Sequence, residues 1–551
     1  MNVQELVTKI KEELKNTINR LNYVDDSLEI LMEYPKDKSN GDYATNLAMK
    51  LAKVARKAPI KIAEEIIEEF DRDGLFIENI VAANPGFINF YLDKSFLTQI
   101  ITQINDLEDD YGRLTIGNGE HLNIEFVSVN PTGSLHIGHA RGASAGDSLC
   151  RIMKKAGYDV TKEYYVNDAG NQIHNLALSI EVRYKELCGI NEPMPEDGYL
   201  GPEIIVAAKQ LFAEHGSTIL KMENSYEFFR NFGVNSLLDE LKKDLSDFGV
   251  EFDVWFSEKS LYENNLVEKT VKFLKENNYT YEQDGALWLK TSEFNDEKDR
   301  VIIKSDGTYT YITPDIAYHK NKLERGYTKL IDILGGDHHG YIDRLKAAIE
   351  MVGGKSDLLD VEILQMVKVL QNGEEVKMSK RSGKAITLRD LIDEVGVDPI
   401  RYFFAMRSLN THMDLDLDLA LRQTNENPVY YAQYAHARVC SIFSMAEEKG
   451  FKITALPKTF KTLEGEKTYE LISILGNYGE AVRQAAVQRA PHKITNYINT
   501  LASAFHSFYN DEQVLSDDQL KTMERLALLN AVRIVMANAL DLIGVSAPNK
   551  M

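Results

Sequence analysis

HLNIEFVSVNPTGSLHIGHARGASAGDSLCRIMKKAG, residues 121–157, decides the fold. It reads as a strand over 122–129, a tight connection containing Asn130, Pro131 and Gly133, and a helix opening at 136–139. A helix that follows a strand directly aims its first N–H groups and the positive end of its dipole over the sheet's carboxyl edge, where phosphate binds readily. That edge is the expected active site. The helix should stop at Lys154, Lys155 and Gly157, cations followed by glycine. A second strand, 160–166, then delivers Asn167, Asp168 and Gly170 to the same edge, with a helix beginning at Gln172 and Ile173. Strand, helix and strand in this order predict an α/β fold.

The connection also carries chemistry. His136 and His139 share one face of the first helical turn, and Gly138 leaves the backbone bare enough for a flat base. Two imidazoles with free amides suit a triphosphate and the charge that builds on its α-phosphorus; the plainer reading is a pair of surface histidines. Downstream, VKMSKRSGKAITL (376–388) crowds Lys377, Lys380, Arg381 and Lys384 into a loop with Ser379, Ser382 and Gly383. Asn372-Gly373 ahead of it is a hairpin signal, and Thr387 with Asp390 reads as a capping box. A short basic loop by itself is usually a solvated turn. Two phosphate-handling stretches in one chain point to a nucleotide.

Outward from these stretches, 551 residues are too many for one core, and two to four domains are expected. Residues 1–110 read as an α+β unit: helical spacing over 3–21 and 46–70, then a strand pair around Pro85-Gly86. Residues 186–300 read as an acidic insertion without a catalytic cluster. The sheet is expected to resume over 300–319, with a hairpin turn at Asp306-Gly307. A buried strand follows at 330–334, running into Gly335, Gly336, Asp337, His338 and His339, and another spans 361–369. Asp398 with Pro399 reads as the cap and first residue of a helix. Beyond 420 the chain is helical, with Leu526, Leu529, Val532, Val535, Met536, Leu540 and Ile543 as a core stripe.

Composition excludes several classes. Three scattered cysteines suggest neither disulfides nor a zinc knuckle. No apolar run approaches the roughly 20 residues that span a bilayer, and the start lacks a signal-peptide core, so the cytosol is expected. A net charge of −21 argues against generic nucleic-acid binding. The acids concentrate in the first 110 residues and in 180–300, whereas charge is nearly balanced beyond 420, so a local basic stripe is expected on an acidic body.

HIGH (136–139) and KMSKR (377–381) resemble the two signatures of class I aminoacyl-tRNA synthetases. EFVSVNPTGSLHIGHARG, YYVNDAGNQI, DGALWLKTSEF, YITPDIAYH, GGDHHGY, NPVYYAQYAHAR and ALDLIGVSAPNKM extend the likeness, and the chain resembles the arginyl-tRNA synthetase family from end to end. The resemblance implies an α/β, Rossmann-like catalytic domain at 111–420 with the insertion at 186–300. It implies an N-terminal α+β domain at 1–110 that touches the tRNA elbow, and an all-α anticodon-binding bundle at 421–551. The implied reaction is activation of L-arginine by ATP with Mg²⁺, then transfer to the terminal adenosine of tRNA(Arg). The family also implies tRNA binding before the adenylate forms.

Carried onto matching positions, catalysis falls to His136, Gly138, His139, Lys377 and Lys380. ATP falls to Asn130, Pro131, Thr132, Gly133, His136, His139, Gly336, Asp337, His338, Met378, Ser379 and Lys380. Arginine falls to Glu125, Ser128, Asn130, His139, Gln172, Tyr311 and Asp315, the carboxylates and aromatic planes that a guanidinium calls for. The tRNA set is Asn84, Phe87, Asn89, Tyr431, Gln433, His436, Arg438, Tyr509, Asn510 and Met551. A polar pocket of this kind rejects analogues without an editing domain, and none is expected. Also expected are a monomer, no structural metal, and neither membrane nor DNA as partner. The competing readings are another HxGH nucleotidyltransferase, a class I synthetase for a different amino acid, and a non-catalytic tRNA-binding paralogue.

Overall fold

Five parallel strands form the central sheet of the computed structural model, which describes residues 3–23, 28–33, 35, 37–355, 357–376, 385–451 and 456–551, excepting the side chains at 3, 4, 38 and 337–339. Their order across the sheet is Leu359–Leu364, Lys329–Gly335, His121–Glu125, Asp159–Val166, Val254–Ser257. The first strand in sequence lies in the middle, between its immediate successor and a much later strand. The winding therefore reverses there, and a crevice opens at the carboxyl edge. Leu122, Ile124, Leu330 and Ile331 are buried, as a sheet covered on both faces requires. The helix Ile137–Lys155 lies close against it: a Cβ at Gly146 would stand 2.3 Å from the Phe126 ring.

Several expected boundaries move. The first strand ends at Glu125 rather than 129, because Val127 and Ser128 take positive φ values of 69° and 42°, which break the ladder. The stretch 186–300 is not a single insertion, since Val254–Ser257 returns to the central sheet beside Asp159–Val166. A helical lobe precedes that return, built from Asn171–Leu187, Pro202–His215 and Ser225–Asp247. A small antiparallel sheet of Thr280–Gln283, Ala286–Leu289 and Arg300–Ile303 follows it. The expected resumption at 300 therefore belongs to this small sheet, because alternation marks a strand without saying which sheet it joins.

The strand expected at 361–369 is two strands. Leu359–Leu364 stays in the central sheet, while Val367–Gln371 pairs with Met413–Asp416 and Glu374–Glu375. The helix expected to start at Pro399 with Asp398 as its cap starts at Val397, with Gly396 before it. Asp398 instead accepts from Gln433 Nε2 at 2.7 Å and Ser546 N at 3.0 Å. The helix expected over 46–70 is Leu47–Ala55 followed by Pro59–Glu69, broken where Arg56 turns left-handed at φ 51°. The hairpin Ile77–Ala83 with Phe87–Leu92 forms as expected. So does the turn at Asn372 and Gly373, both at positive φ.

The parts are welded together. Helix Lys94–Leu107 leaves the N-terminal unit to pack on the helical domain, where Asn105 Nδ2 donates to Ala527 O at 3.1 Å. Arg401, fully buried, donates to Asp147 at 2.5 Å, Ile543 O at 3.0 Å and Phe248 O at 3.1 Å. Burial would raise the Asp147 pKa, but Arg401, Lys162 and Arg151 outweigh it and hold it at about 2. In the helical domain Asn427 caps Pro428–Glu448, and the stripe from Leu526 to Ile543 is buried as expected.

Candidate active site

The helix start is arranged differently from a bare anion cradle. His136 Nδ1 accepts from Gly138 N at 3.0 Å, and His139 Nδ1 accepts from His136 N at 3.2 Å. The two rings stack 3.4 Å apart, a reciprocal capping box made of imidazoles. Ile137 N is also taken, by Ile386 O at 3.3 Å. The free amides expected here are thus occupied, and what the turn offers instead is ring N–H groups. With both Nδ1 atoms accepting, both rings carry their proton on Nε2. Burial, then the charge of His136, pushes the His139 pKa down to about 3, and shielding from water lowers that of His136. Both act as neutral donors at pH 7. A Cβ at Gly138 would stand 2.9 Å from the His136 ring, so glycine lets the stack form.

Lys377, Met378, Ser379 and Lys380 lie outside the described residues, as do the side chains of Asp337 and His338. The ends of the basic loop are described. Before it, Val376 N donates to Val369 O at 2.8 Å. After it, the chain lies antiparallel on the HIGH segment: Leu388 N donates to Leu135 O at 2.7 Å, and His136 bridges Thr387. Thr387 and Asp390 form the expected capping box at 3.0 and 3.1 Å. Arg389 forks onto Asp244 and Asp247 of helix Ser225–Asp247, at 2.5 Å each. The segment that follows the basic loop and the HIGH segment, distant in sequence, are therefore joined backbone to backbone.

Two further carboxylates bear on the site. Asp315, on helix Ile312–Glu324, accepts from the Tyr341 hydroxyl, and burial with the nearby Glu125 and Asp332 charges raises its pKa. Sequence reasoning missed Glu258. It follows the short strand Val254–Ser257, whose four residues carry too little alternation to announce a sheet edge. Burial, then Asp315 and Asp168, lifts its pKa from 4.5 to about 7. Two neighbouring carboxylates that both resist ionisation have chemistry suited to a cation. Asn130 and Gln172 meet through their amides, and Ser128 Oγ donates to Glu125 Oε1 at 3.0 Å.

Two expected pocket residues have surroundings that the sequence does not announce. Glu125 is not a free carboxylate, because its Oε2 accepts from Lys322 at 2.6 Å and Tyr318 at 2.8 Å. Lys322, fully buried, also reaches Asp332 at 3.1 Å. Burial opposes its charge, but Asp332 and Glu125 outweigh that and raise its pKa. Tyr311 is 91 % exposed. Asp168 is occupied as a cap, accepting from Ser257 Oγ at 2.6 Å and Lys259 N at 2.9 Å.

The expected RNA contacts divide by burial. Asn84 is exposed and Phe87 half-buried, whereas Asn89 is 3 % exposed and lies inside its sheet, out of reach of a base. Gln433 and His436 are buried. They clamp the C-terminal tail, Gln433 to Ser546 O at 2.9 Å and His436 to Pro548 O at 3.0 Å. Tyr431 packs 4.7 Å from His506, and Arg438 lies 4.9 Å over Tyr509, with Asn510 and Met551 exposed nearby in the same domain. Tyr430 and Tyr434, stacked at 6.0 Å, extend this aromatic face; their spacing of four on one helix is the signal that sequence reasoning passed over.

A parallel sheet whose carboxyl crevice gathers a HIGH helix start and the stem of a KMSKR loop defines the catalytic core of a class I aminoacyl-tRNA synthetase. The comparisons agree part by part: an arginyl tRNA synthetase N terminal domain matches residues 6–92, a class I (R) tRNA synthetase catalytic domain 100–402, and a DALR anticodon binding domain 432–551. The chain belongs to the arginyl-tRNA synthetase family. It is 54% identical over 557 residues to the arginine–tRNA ligase of Bacillus subtilis (strain 168), with 100% of both chains covered. It is 54% identical over 555 residues to that of Anoxybacillus flavithermus (strain DSM 21510 / WK1), again over 100% of each. Its fold matches that of the Thermus thermophilus arginyl-tRNA synthetase with a TM-score of 0.76 at 20% identity, covering 99% of this chain and 100% of that one. It is an ATP-dependent ligase that charges tRNA with arginine. Among the described residues no helix is long and apolar enough to cross a membrane.

Proposed function

We propose that the crevice holds arginine by its guanidinium between Asp315 and Glu258, with Ser128, Asn130 and Gln172 meeting its α-amino and carboxylate end. The observation that carries this reading is the pair of carboxylates whose pKa values are both raised while Glu125 is already neutralised by Lys322. A planar five-donor cation satisfies both. Mg-ATP lies along the HIGH helix start. The arginine carboxylate attacks the α-phosphorus in line, and the bond to pyrophosphate breaks. His136 and His139 donate Nε2–H to the oxygens that gain charge, while Lys377 and Lys380 hold the departing pyrophosphate. The terminal ribose hydroxyl of tRNA then attacks the adenylate's carbonyl carbon, and AMP leaves.

Three units serve this chemistry: residues 1–110 at the tRNA elbow through Asn84 and Phe87, 111–420 for catalysis, and 421–551 at the anticodon through Tyr431, Arg438, Tyr509 and Asn510. Half-buried aromatic rings beside an arginine suit unpaired bases. The protein acts as a cytoplasmic monomer. Total tRNA incubated with ATP and each labelled amino acid in turn tests the reading. Arginine alone should be attached, and only with ATP present; attachment of a different amino acid would refute it.

A further inference from the structure

The turn that carries the chain from the first strand toward the HIGH helix is strained. Val127 has φ 69° and Ser128 φ 42°, and Ser128 N donates across Val127 to Phe126 O at 3.0 Å. A three-residue turn with its centre at positive φ is rare, and a β-branched side chain is among the least suited to it. Such a turn persists only when its surroundings hold it.

A single hydroxyl brackets its far end. Tyr164 Oη donates to Val129 O at 2.8 Å and accepts from Val129 N at 3.1 Å. The Tyr164 ring is fully buried, stacked 4.5 Å from Trp255 and edge-on to Phe252 at 5.4 Å. Its own strand sits inside the parallel sheet, so the hydroxyl is a fixed point. On the near side, Ser128 Oγ accepts from Tyr165 N at 3.0 Å and donates to Glu125. Neighbouring residues of one strand thus grip the turn from both sides, and the gripped residues run directly into Asn130.

We propose that Tyr164 is a positioning residue for the amino acid: its hydroxyl keeps Val127 and Ser128 in the left-handed turn, and so fixes where Ser128 and Asn130 meet arginine. This rests on the proposed roles of Ser128 and Asn130. Val127 then supplies the strain, and Tyr164 prevents its release. A glycine at 127 would adopt the same backbone without strain, so the pin would matter less.

Tyr164→Phe keeps the ring and its stacking while removing both bonds. Initial rates of tRNA arginylation at varied arginine and varied tRNA, with arginine binding measured by calorimetry, test the proposal. Tyr164→Phe should raise the KM and Kd for arginine about tenfold, as expected for two lost hydrogen bonds, and leave the KM for tRNA near wild type. Val127→Gly added to it should recover most of that loss, although glycine in a structural loop ordinarily destabilises. Unchanged arginine constants in Tyr164→Phe would overturn the proposal. So would an equal loss for arginine and tRNA that Val127→Gly deepens, since a packing defect behaves that way. Ser128→Ala tests the reading underneath: if it leaves the arginine Kd unchanged, the assigned contact fails first.

Discussion

At the residue scale the proposed pocket rests on Asp315 and Glu258. Asp315→Asn keeps the size and the Tyr341 partner but removes the charge; the KM for arginine should rise at least about a hundredfold, the cost of an unpaired buried cation. An unchanged KM would remove Asp315 from the pocket. Glu258 makes the site sensitive to pH. Its pKa is raised from 4.5 to about 7, so the free folded protein holds a proton that the unfolded chain releases. The stability this group contributes is present below 4.5 and is lost as pH rises through 7. Bound guanidinium favours the ionised form, so the sign reverses for the ligand. Arginine affinity should climb as pH rises from 6 to 7.5 and then level, and proton release on binding should appear in calorimetry with buffers of differing ionisation enthalpy. Glu258→Gln should abolish both effects; a pH profile unchanged in that variant would exclude Glu258. Asp315 entered the proposed pocket through family likeness. Glu258 was not, because its charge means something only beside Asp315, and that neighbourhood arises from a strand too short to show periodicity.

At the scale of elements, the connection between the first strand and the HIGH helix shows where local signals fail. The helix start, the capping box at Thr387 and the hairpin at Asn372-Gly373 were all legible, since each depends on side chains a few residues apart. The early end of the strand at Glu125 was not, because the turn after it takes positive φ at Val127 and Ser128 and is hydrogen-bonded from a neighbouring strand. Capping chemistry was legible at Asp398 too, yet tertiary partners Gln433 and Ser546 claimed that carboxylate. The basic loop yields a prediction at this scale. Lys380→Ala should lower kcat by about 10²–10³-fold, the usual effect of losing a group that meets developing charge, and leave the arginine KM near normal. Equal losses in both would mean the loop shapes the pocket. Thr387→Ala removes one half of the cap that ends this loop; it should cost about 1 kcal/mol of stability and reduce kcat without changing the arginine Kd. A variant with full kcat would separate the anchor from catalysis.

For the whole molecule, charge and welding matter most. The domain order was legible because its composition and motifs are local to each part. The shared core was not, since no spacing reveals that the helix after the N-terminal hairpin packs on a bundle more than 400 residues away. Arg401 ties the HIGH helix, the helical lobe and the last helix together. Arg401→Met leaves Asp147 buried with less compensation, and should cost about 3–5 kcal/mol, read as a drop in Tm shared by catalytic and helical domains. Separate transitions would contradict one welded body. The central claim is that this assembly selects a delocalised cation and activates the carboxylate attached to it. Citrulline has arginine's shape without its charge. The decisive measurement is kcat/KM for tRNA charging with arginine against citrulline, in the wild-type chain and in Asp315→Asn. The wild type should favour arginine by about 10⁴ or more, and the variant should lose at least about a hundredfold of that preference. A preference that survives the substitution intact would contradict the account.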